Sequence, residues 1–329
     1  MKFAEIIGQR EQKNHLIRAV EKNKISHAYI ISGEESSGKK MLAEAFAATL
    51  LCEKGGPDAC GECISCRKAI SHNHPDIKYV THEKPRTISV DDIREQLNGD
   101  VVIKPYESAH KVYIVEDAQL MKEPAQNALL KTLEEPPEYA VIMLLTTNAD
   151  SFLQTIRSRC VTLETKPVPD DVIVDFLMKK HRIVDYEARA AAAFAQGNVG
   201  KAMELAASED FTAKKDLAVN ILSRITNANN ERFIEMQTSL LDAKDDLDTF
   251  YELFTLWYRD VLLYKTPGQA DRLIFSRNLF QIKQAAEELD YEKLDEIIAR
   301  IEEAKARRRQ NVVPETEVPL ILECMRLKK

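Results

Sequence analysis

The octapeptide Gly33-Glu34-Glu35-Ser36-Ser37-Gly38-Lys39-Lys40 has the spacing of a phosphate-binding loop. In such a loop backbone N–H groups cradle the phosphates, the first Lys reaches the terminal phosphates, and the hydroxyl that follows holds Mg²⁺. Here Lys40 stands where the hydroxyl belongs. A charged ammonium has no lone pair to offer a metal and sets a second cation beside it. Further on, Lys111-Val112-Tyr113-Ile114-Val115 reads as an apolar strand that ends in Glu116-Asp117. A working hydrolase of this architecture carries Asp there for the metal, then Glu to activate water. The order is inverted, and Asp117 is one methylene short for polarising water held at the distance a longer residue sets. The plain alternatives are a Gly/Ser-rich turn and two carboxylates capping a strand exit. Two lesions in one site instead favour a nucleotide-hydrolase scaffold without turnover. Gly33, Gly38 and Lys39 keep the cradle, so the loop is degenerate, with nucleotide binding left open.

A second constellation is Cys52-x7-Cys60-x2-Cys63-x2-Cys66. Four thiolates complete a tetrahedral Zn²⁺ and leave no open position, which makes the site structural rather than catalytic. Gly55, Gly56, Pro57 and Gly61 let the loop fold back around the metal. The alternatives are four free thiols, or His72 or His74 in place of Cys52 as fourth ligand. Cys160 and Cys324 stand apart and read as packing residues.

The elements that must position these groups follow from periodicity. Short apolar strands at His27–Ile31, Asp76–Val80, Lys111–Val115 and Ala140–Thr146 alternate with helical patterns at Met41–Leu51, Val90–Leu97 and Pro124–Leu133. That alternation predicts an α/β domain with a parallel sheet. Lys166-Pro167-Val168-Pro169-Asp170-Asp171 makes a linker ending in a helix cap. After it the pattern is helical throughout, with apolar residues at three- and four-residue spacing in Leu217–Ile225, Phe250–Tyr264 and Leu294–Ala304. The expected organisation is an α/β domain over 1–165, a small helical domain over 166–208 and a helical domain over 209–329. Phe250, Tyr251, Phe254, Trp257 and Tyr258 fall on one helical face and are read as core.

Across 329 residues the composition is that of an ordinary globular chain, and the net charge of −7 argues against a protein that grips nucleic acid over its whole surface. Lys305, Arg307, Arg308 and Arg309 form the only dense basic patch, read as a solvated helix end in preference to a DNA contact. No signal peptide or membrane-spanning run is legible, and a cytoplasmic protein is expected.

Several further segments carry a resemblance: Ile7-Gly8-Gln9, Ile25-Ser26-His27-Ala28-Tyr29, the four cysteines, Asn127-Ala128-Leu129-Leu130-Lys131-Thr132-Leu133-Glu134-Glu135-Pro136-Pro137, and Ser158-Arg159-Cys160. Through them the chain resembles the delta-prime family of bacterial replicative clamp-loader subunits, within the AAA+ class. The match is close over the first half and general over the helical C-terminal third. The resemblance implies a RecA-like AAA+ domain with a zinc knuckle, a helical lid and a helical collar. It implies a pentameric ring with motor (gamma/tau) and delta subunits that loads a sliding clamp on primed DNA. It implies Zn²⁺ as a structural cofactor and ATP in the adjacent subunit, with Arg159 as an arginine finger acting in trans; Arg157 is the nearby decoy.

The motor subunits share the knuckle and are the close competitor. They would carry Ser or Thr after Gly38-Lys39, Asp-Glu after the strand, and Arg in the lid's sensor motif. This chain has Lys40, Glu116-Asp117, and Gly197-Asn198-Val199-Gly200-Lys201 with Lys201 in place of that Arg. Thr147-Asn148 matches the first sensor motif, or else forms a strand-exit turn. Two other classes stand further off. An independent ATP-driven remodeller would need a competent Mg²⁺ site, and a zinc-dependent DNA-binding protein conflicts with the acidic net charge.

Overall fold

The computed structural model describes residues 2–82, 86–266, 268, 272–308 and 313–327. They form two compact units, Met1–Val172 with Asn198–Gly200, and Ile173–Gly197 with Lys201–Lys329.

The first unit is built on strands β1 (Ala28–Ser32), β2 (Ile77–Val80), β3 (Lys111–Val115), β4 (Ala140–Thr146) and β5 (Val161–Glu164), in the order β2-β3-β4-β1-β5. Every pairing is parallel, with Ala28 opposite Ile142, Val112 opposite Ile77, and Tyr29 opposite Val161. A parallel sheet is covered on both faces, so its central strands are apolar throughout. All residues of β3 and β4 are buried. Successive side chains nevertheless sort by face. Tyr29, Ile31, Val112, Ile114, Val141 and Met143 join one core with Leu16, Leu42 and Phe46, while Ala28, Ile30, Tyr113, Val115, Ile142 and Leu144 join another with Leu129 and Leu133.

The observed strands begin one residue late at two of the expected places. His27 and Asp76 still lend their carbonyls to the ladder, accepting from Ile142 N at 2.9 Å and Val112 N at 2.8 Å. The Asp76 carboxylate, fully buried, also receives the Tyr106, Glu107 and Ser108 N–H groups at 2.6, 2.9 and 3.0 Å and so fastens the loop that enters β3. Strand β5 was not expected. Only Leu163 of it is buried, because it is a short edge strand without a readable period. The pattern at Val90–Leu97 is helical but irregular: an α turn Val90–Ile93 passes into a π segment, Arg94–Asn98, and a final turn, Gly99–Val101. Met41–Leu51 and Pro124–Leu133 correspond to helices Lys39–Leu50 and Glu123–Glu134.

Among the described residues the second unit has helices and no strand. Two expected apolar stretches lie in helices Leu247–Lys265 and Tyr291–Arg308, while Leu217–Ile225 overruns the end of helix Glu209–Leu222 and reaches the 3-10 turn Ile225–Asn227. The five aromatics of the stripe, Phe250 to Tyr258, are 0–1 % exposed and form the centre of its core. Ala190, from helix Asp185–Ala195, belongs to that same core.

Asp260 is buried within the helix that carries those aromatics, and its carboxylate accepts the Phe275 N–H at 2.8 Å. Burial pushes its pKa up to about 6, against the opposing pull of that N–H and of Arg259. A carboxyl whose folded pKa exceeds its unfolded value stabilises fully below the unfolded value and loses that contribution as pH rises through the folded one. Asp260→Asn keeps an acceptor for Phe275. It is expected to flatten the pH dependence of the melting temperature between about pH 4 and pH 6 and to raise stability at pH 7 by on the order of 2 kcal/mol. Melting curves of both proteins across that range check it.

Candidate functional site

The loop after β1 is held by close packing. Gly33 N–H donates to Thr146 O at 3.1 Å, and a Cβ on Gly33 would lie 1.7 Å from Thr165 Oγ1. Ser37 and Thr165 exchange a hydroxyl hydrogen bond at 3.0 Å. Ser36 and Gly38 adopt left-handed backbone at φ 57° and 88°, and helix Lys39–Leu50 begins immediately afterwards. These turns deliver the chain from β1 into that helix. Lys39, however, turns back into its own loop, where its ammonium donates to Gly33 O at 2.8 Å and to Glu34 O. Burial draws its pKa below the usual lysine value, while Asp117, Glu35 and Glu34 act the other way.

Lys40 Nζ lies 2.7 Å from Glu116 Oε1. The hydrogen bond to that carboxylate raises the Lys40 pKa, so the ammonium stays charged at neutral pH. With half its surface exposed, such a pair contributes at most about 1 kcal/mol. Its consequence is occupancy, since an ammonium sits on the carboxylate that a working site offers to Mg²⁺. Glu116 is engaged and Asp117, in left-handed backbone at φ 47°, accepts from Gln119 Nε2 at 3.2 Å. A neighbouring group extends the network. Buried Glu44 accepts from Tyr79 Oη at 3.2 Å and lies 3.5 Å from His72 Nδ1. Burial raises the pKa of Glu44, with His72, Tyr79 and Lys40 opposing. Sequence reasoning weighed His72 only as a zinc ligand and passed over Tyr79 and Glu44, because the three are brought together from a turn, a strand and a helix far apart in sequence.

Asn198–Gly200, grouped with the first unit, rests on the loop: Asn198 Nδ2 donates to Glu35 O at 2.7 Å and Gly200 N–H to Ser36 O at 3.2 Å. A Cβ on Gly200 would lie 2.4 Å from Ser36 O. Lys201 lies over the Phe194 ring at 5.4 Å. Thr147-Asn148 makes the strand-exit turn, with Asn148 Oδ1 accepting the Asp150 N–H at 2.9 Å.

Arg159 stands two residues before β5. Its guanidinium meets Glu134 Oε1 at 2.9 Å and Thr155 O at 2.9 Å, and Arg157 pairs with Asp150 at 2.8 Å. Both arginines are thus paired with carboxylates, and the Arg159 pair is partly exposed and exchangeable. The basic helix end is neutralised internally. Lys305 pairs with Glu252 and Glu302, Arg307 with Glu303 and Glu317, and Arg308 with Asp248. Arg309 lies outside the described residues.

The sulfurs of Cys52, Cys60, Cys63 and Cys66 all lie within 4.8 Å of one another. Backbone N–H groups point at them: Glu62 and Cys63 N–H donate to Cys60 Sγ at 3.4 Å each, and Cys66 N–H to Cys63 Sγ at 3.3 Å. Those bonds bring Cys60 down to about 6, whereas burial pushes Cys66 up to about 12. A divalent cation would hold all four as thiolates. The donor set fits tetrahedral zinc, which would cross-link the loop to the end of helix Lys39–Leu50. His74 has both ring nitrogens engaged elsewhere, with Ser65 Oγ at 2.9 Å and Asp76 N–H at 3.1 Å, and His72 Nδ1 meets Tyr79 Oη at 3.0 Å. Among the described residues the only cluster with metal-binding geometry is the four cysteines. Cys160 and Cys324 are half-buried against the cores.

A five-stranded parallel sheet in this order, with a phosphate-type loop after β1 and acidic residues after β3, defines a RecA-like domain of the AAA+ class. Comparison with known proteins carries this further. Residues 8–169 match the family described as DNA polymerase III, delta subunit. DNA polymerase III subunit delta′ of Bacillus subtilis is 31% identical over 302 residues, covering 90% of each chain. Subunit tau of the same organism is 31% identical over 293 residues, covering 81% of this chain and 51% of that longer one. A gamma subunit-related protein of Thermotoga maritima aligns over 95% of this chain and 98% of its own at 22% identity, with a TM-score of 0.44. The chain belongs to the DNA polymerase III delta′ family. No described helix is long and apolar enough to cross a membrane.

Protein purified without chelator is expected to carry one zinc per chain by elemental analysis. Cys63→Ser should release that zinc and make the segment around 52–70 protease-sensitive, leaving the sheet's circular dichroism unchanged. Metal-free wild-type protein of undiminished protease resistance would overturn the assignment.

Proposed function

We propose that this chain is a delta′-type clamp-loader subunit, a stationary AAA+ component whose own site does not turn over ATP and which supplies Arg159 in trans to ATP held by an adjacent subunit. One observation above all supports this: Lys40 Nζ, 2.7 Å from Glu116, takes the place of the metal. Without Mg²⁺ the γ-phosphate loses both charge neutralisation and orientation. Gly33, Gly38 and Lys39 then belong to a degenerate loop, and the Lys39 ammonium is already satisfied by loop carbonyls. The proposed assembly is a ring with motor (gamma/tau) and delta subunits that places a sliding clamp on primed DNA in the cytoplasm. Residues 166–208 would serve as the lid and 209–329 as the collar.

Similarity to tau over most of the chain favours a second reading, a motor subunit. ATP hydrolysis by the purified chain separates the two. No turnover above background is expected. Lys40→Thr alone should restore none, because Glu116-Asp117 keeps its inverted order. Hydrolysis at a motor-like rate, abolished by Lys39→Ala, would establish the motor reading instead.

Guanidinium keeps its charge and can bond two phosphate oxygens at once, which suits charge developing on a neighbour's phosphate. Arginine fingers contribute about 10³–10⁵ in rate for GTPases, and one finger among several ring interfaces has a smaller effect on total turnover. Arg159→Ala is expected to leave folding, zinc content and assembly intact while lowering the clamp- and DNA-stimulated ATPase of the reconstituted ring several-fold. Arg157→Ala, its neighbour, should change that rate by less than twofold. Equal effects of the two substitutions would refute the assignment to Arg159.

A further inference from the structure

We infer that the second unit contains a binding site for a small phosphate-bearing ligand, in the cavity enclosed by helices Asp185–Ala195 and Glu209–Leu222 and the segment around Ile274–Asn278. The cavity holds about 450 Å³, within the range of small-molecule sites. Lys215 lines it and is only 6% exposed. Among the described residues it has neither an ion pair nor a hydrogen bond, and its Nζ faces the Tyr186 ring, 5.2 Å from the centroid. Lys111, which is fully buried, is by contrast matched by Asp100 at 2.6 Å. The Lys215 stem is buried while its ammonium keeps solvent contact at the cavity, where an aromatic ring supplies only part of the stabilisation a counter-charge would give.

Arg277 reaches the same ring, with Cζ 4.0 Å from the Tyr186 centroid, and lines the cavity with Arg224. Against these three cations the wall carries one carboxylate, Asp216, which leaves a net charge of two positive in a chain of net charge −7. The nearby buried Asp260 is turned to the Phe275 N–H. A dianion matches this excess, whereas a single carboxylate would leave one cation unmatched. A guanidinium beside an ammonium is also the donor set that phosphate oxygens favour. Val219 and Ile274 add apolar wall for an organic remainder.

The chain's single tryptophan supplies a reporter. Trp257 packs on Phe275, which lines the cavity, at a ring separation of 5.5 Å. Full-length protein titrated at low ionic strength with inorganic phosphate, pyrophosphate and AMP, by calorimetry and Trp257 emission, tests the site. At least one probe is expected to bind saturably at one per chain and to shift the emission. AMP binding more tightly than phosphate would show that the remainder is read; phosphate or pyrophosphate binding alone would show that the anion suffices. Lys215→Met and, at the exposed rim, Arg277→Gln should each weaken binding at least tenfold. Lys39→Ala, which removes the other phosphate-type lysine, should leave it unchanged. The inference falls if none of the probes binds, if Arg277→Gln in a normally folded protein binds like wild type, or if Lys39→Ala abolishes the signal.

Discussion

Because all five strands run in the same direction, their C-terminal ends share one edge of the sheet, and residues far apart in sequence are delivered there together. The loop after β1, Glu116-Asp117 after β3, Asn148 after β4 and Thr165 after β5 meet at that edge by register alone. The opposite edge is tied down by buried charge. Asp76 receives three backbone N–H groups, and Lys111, fully buried, meets Asp100, whose carboxylate also accepts from Tyr113 Oη at 2.8 Å. Burial works against the charged form of Asp100, but Lys111 and Tyr113 more than offset it and hold its pKa below the usual value. Breaking one member of a buried pair leaves the other uncompensated, so these contacts fix where the strands begin and thereby where they end.

At the functional edge, the same geometry has been filled from within the chain. Two ammonium groups are drawn into the chain itself, Lys39 to the carbonyls of its own loop and Lys40 to the Glu116 carboxylate. The cysteine cluster stands in contrast, because four converging sulfurs with N–H donors directed at them are an arrangement that a cation completes.

Much of this was legible in the sequence because it rests on local pattern. Strands β3 and β4 are continuous apolar runs, and the aromatic face of Leu247–Lys265 repeats at helical spacing, so their positions follow from period alone. The cysteine spacing likewise encodes its own geometry. Strand β5 escaped because one buried residue in four makes no pattern, and the π segment escaped because its register change leaves helical periodicity nearly intact. The Lys40–Glu116 contact spans more than seventy positions. Sequence reading marked each residue as a defect but had no means of showing that the two defects are one interaction.

Gly33 carries a consequence for how such loops are interpreted. Its missing side chain makes room for Thr165, whose N–H donates to Ser32 O at 2.7 Å and whose hydroxyl meets Ser37, so the glycine is required for the outer strand to dock against the central one. That requirement would be the same with or without a phosphate nearby. A glycine kept as a joint in the framework is indistinguishable, letter for letter, from one kept for catalysis. The outward signature of the loop can therefore outlive its chemistry, sustained by carpentry alone.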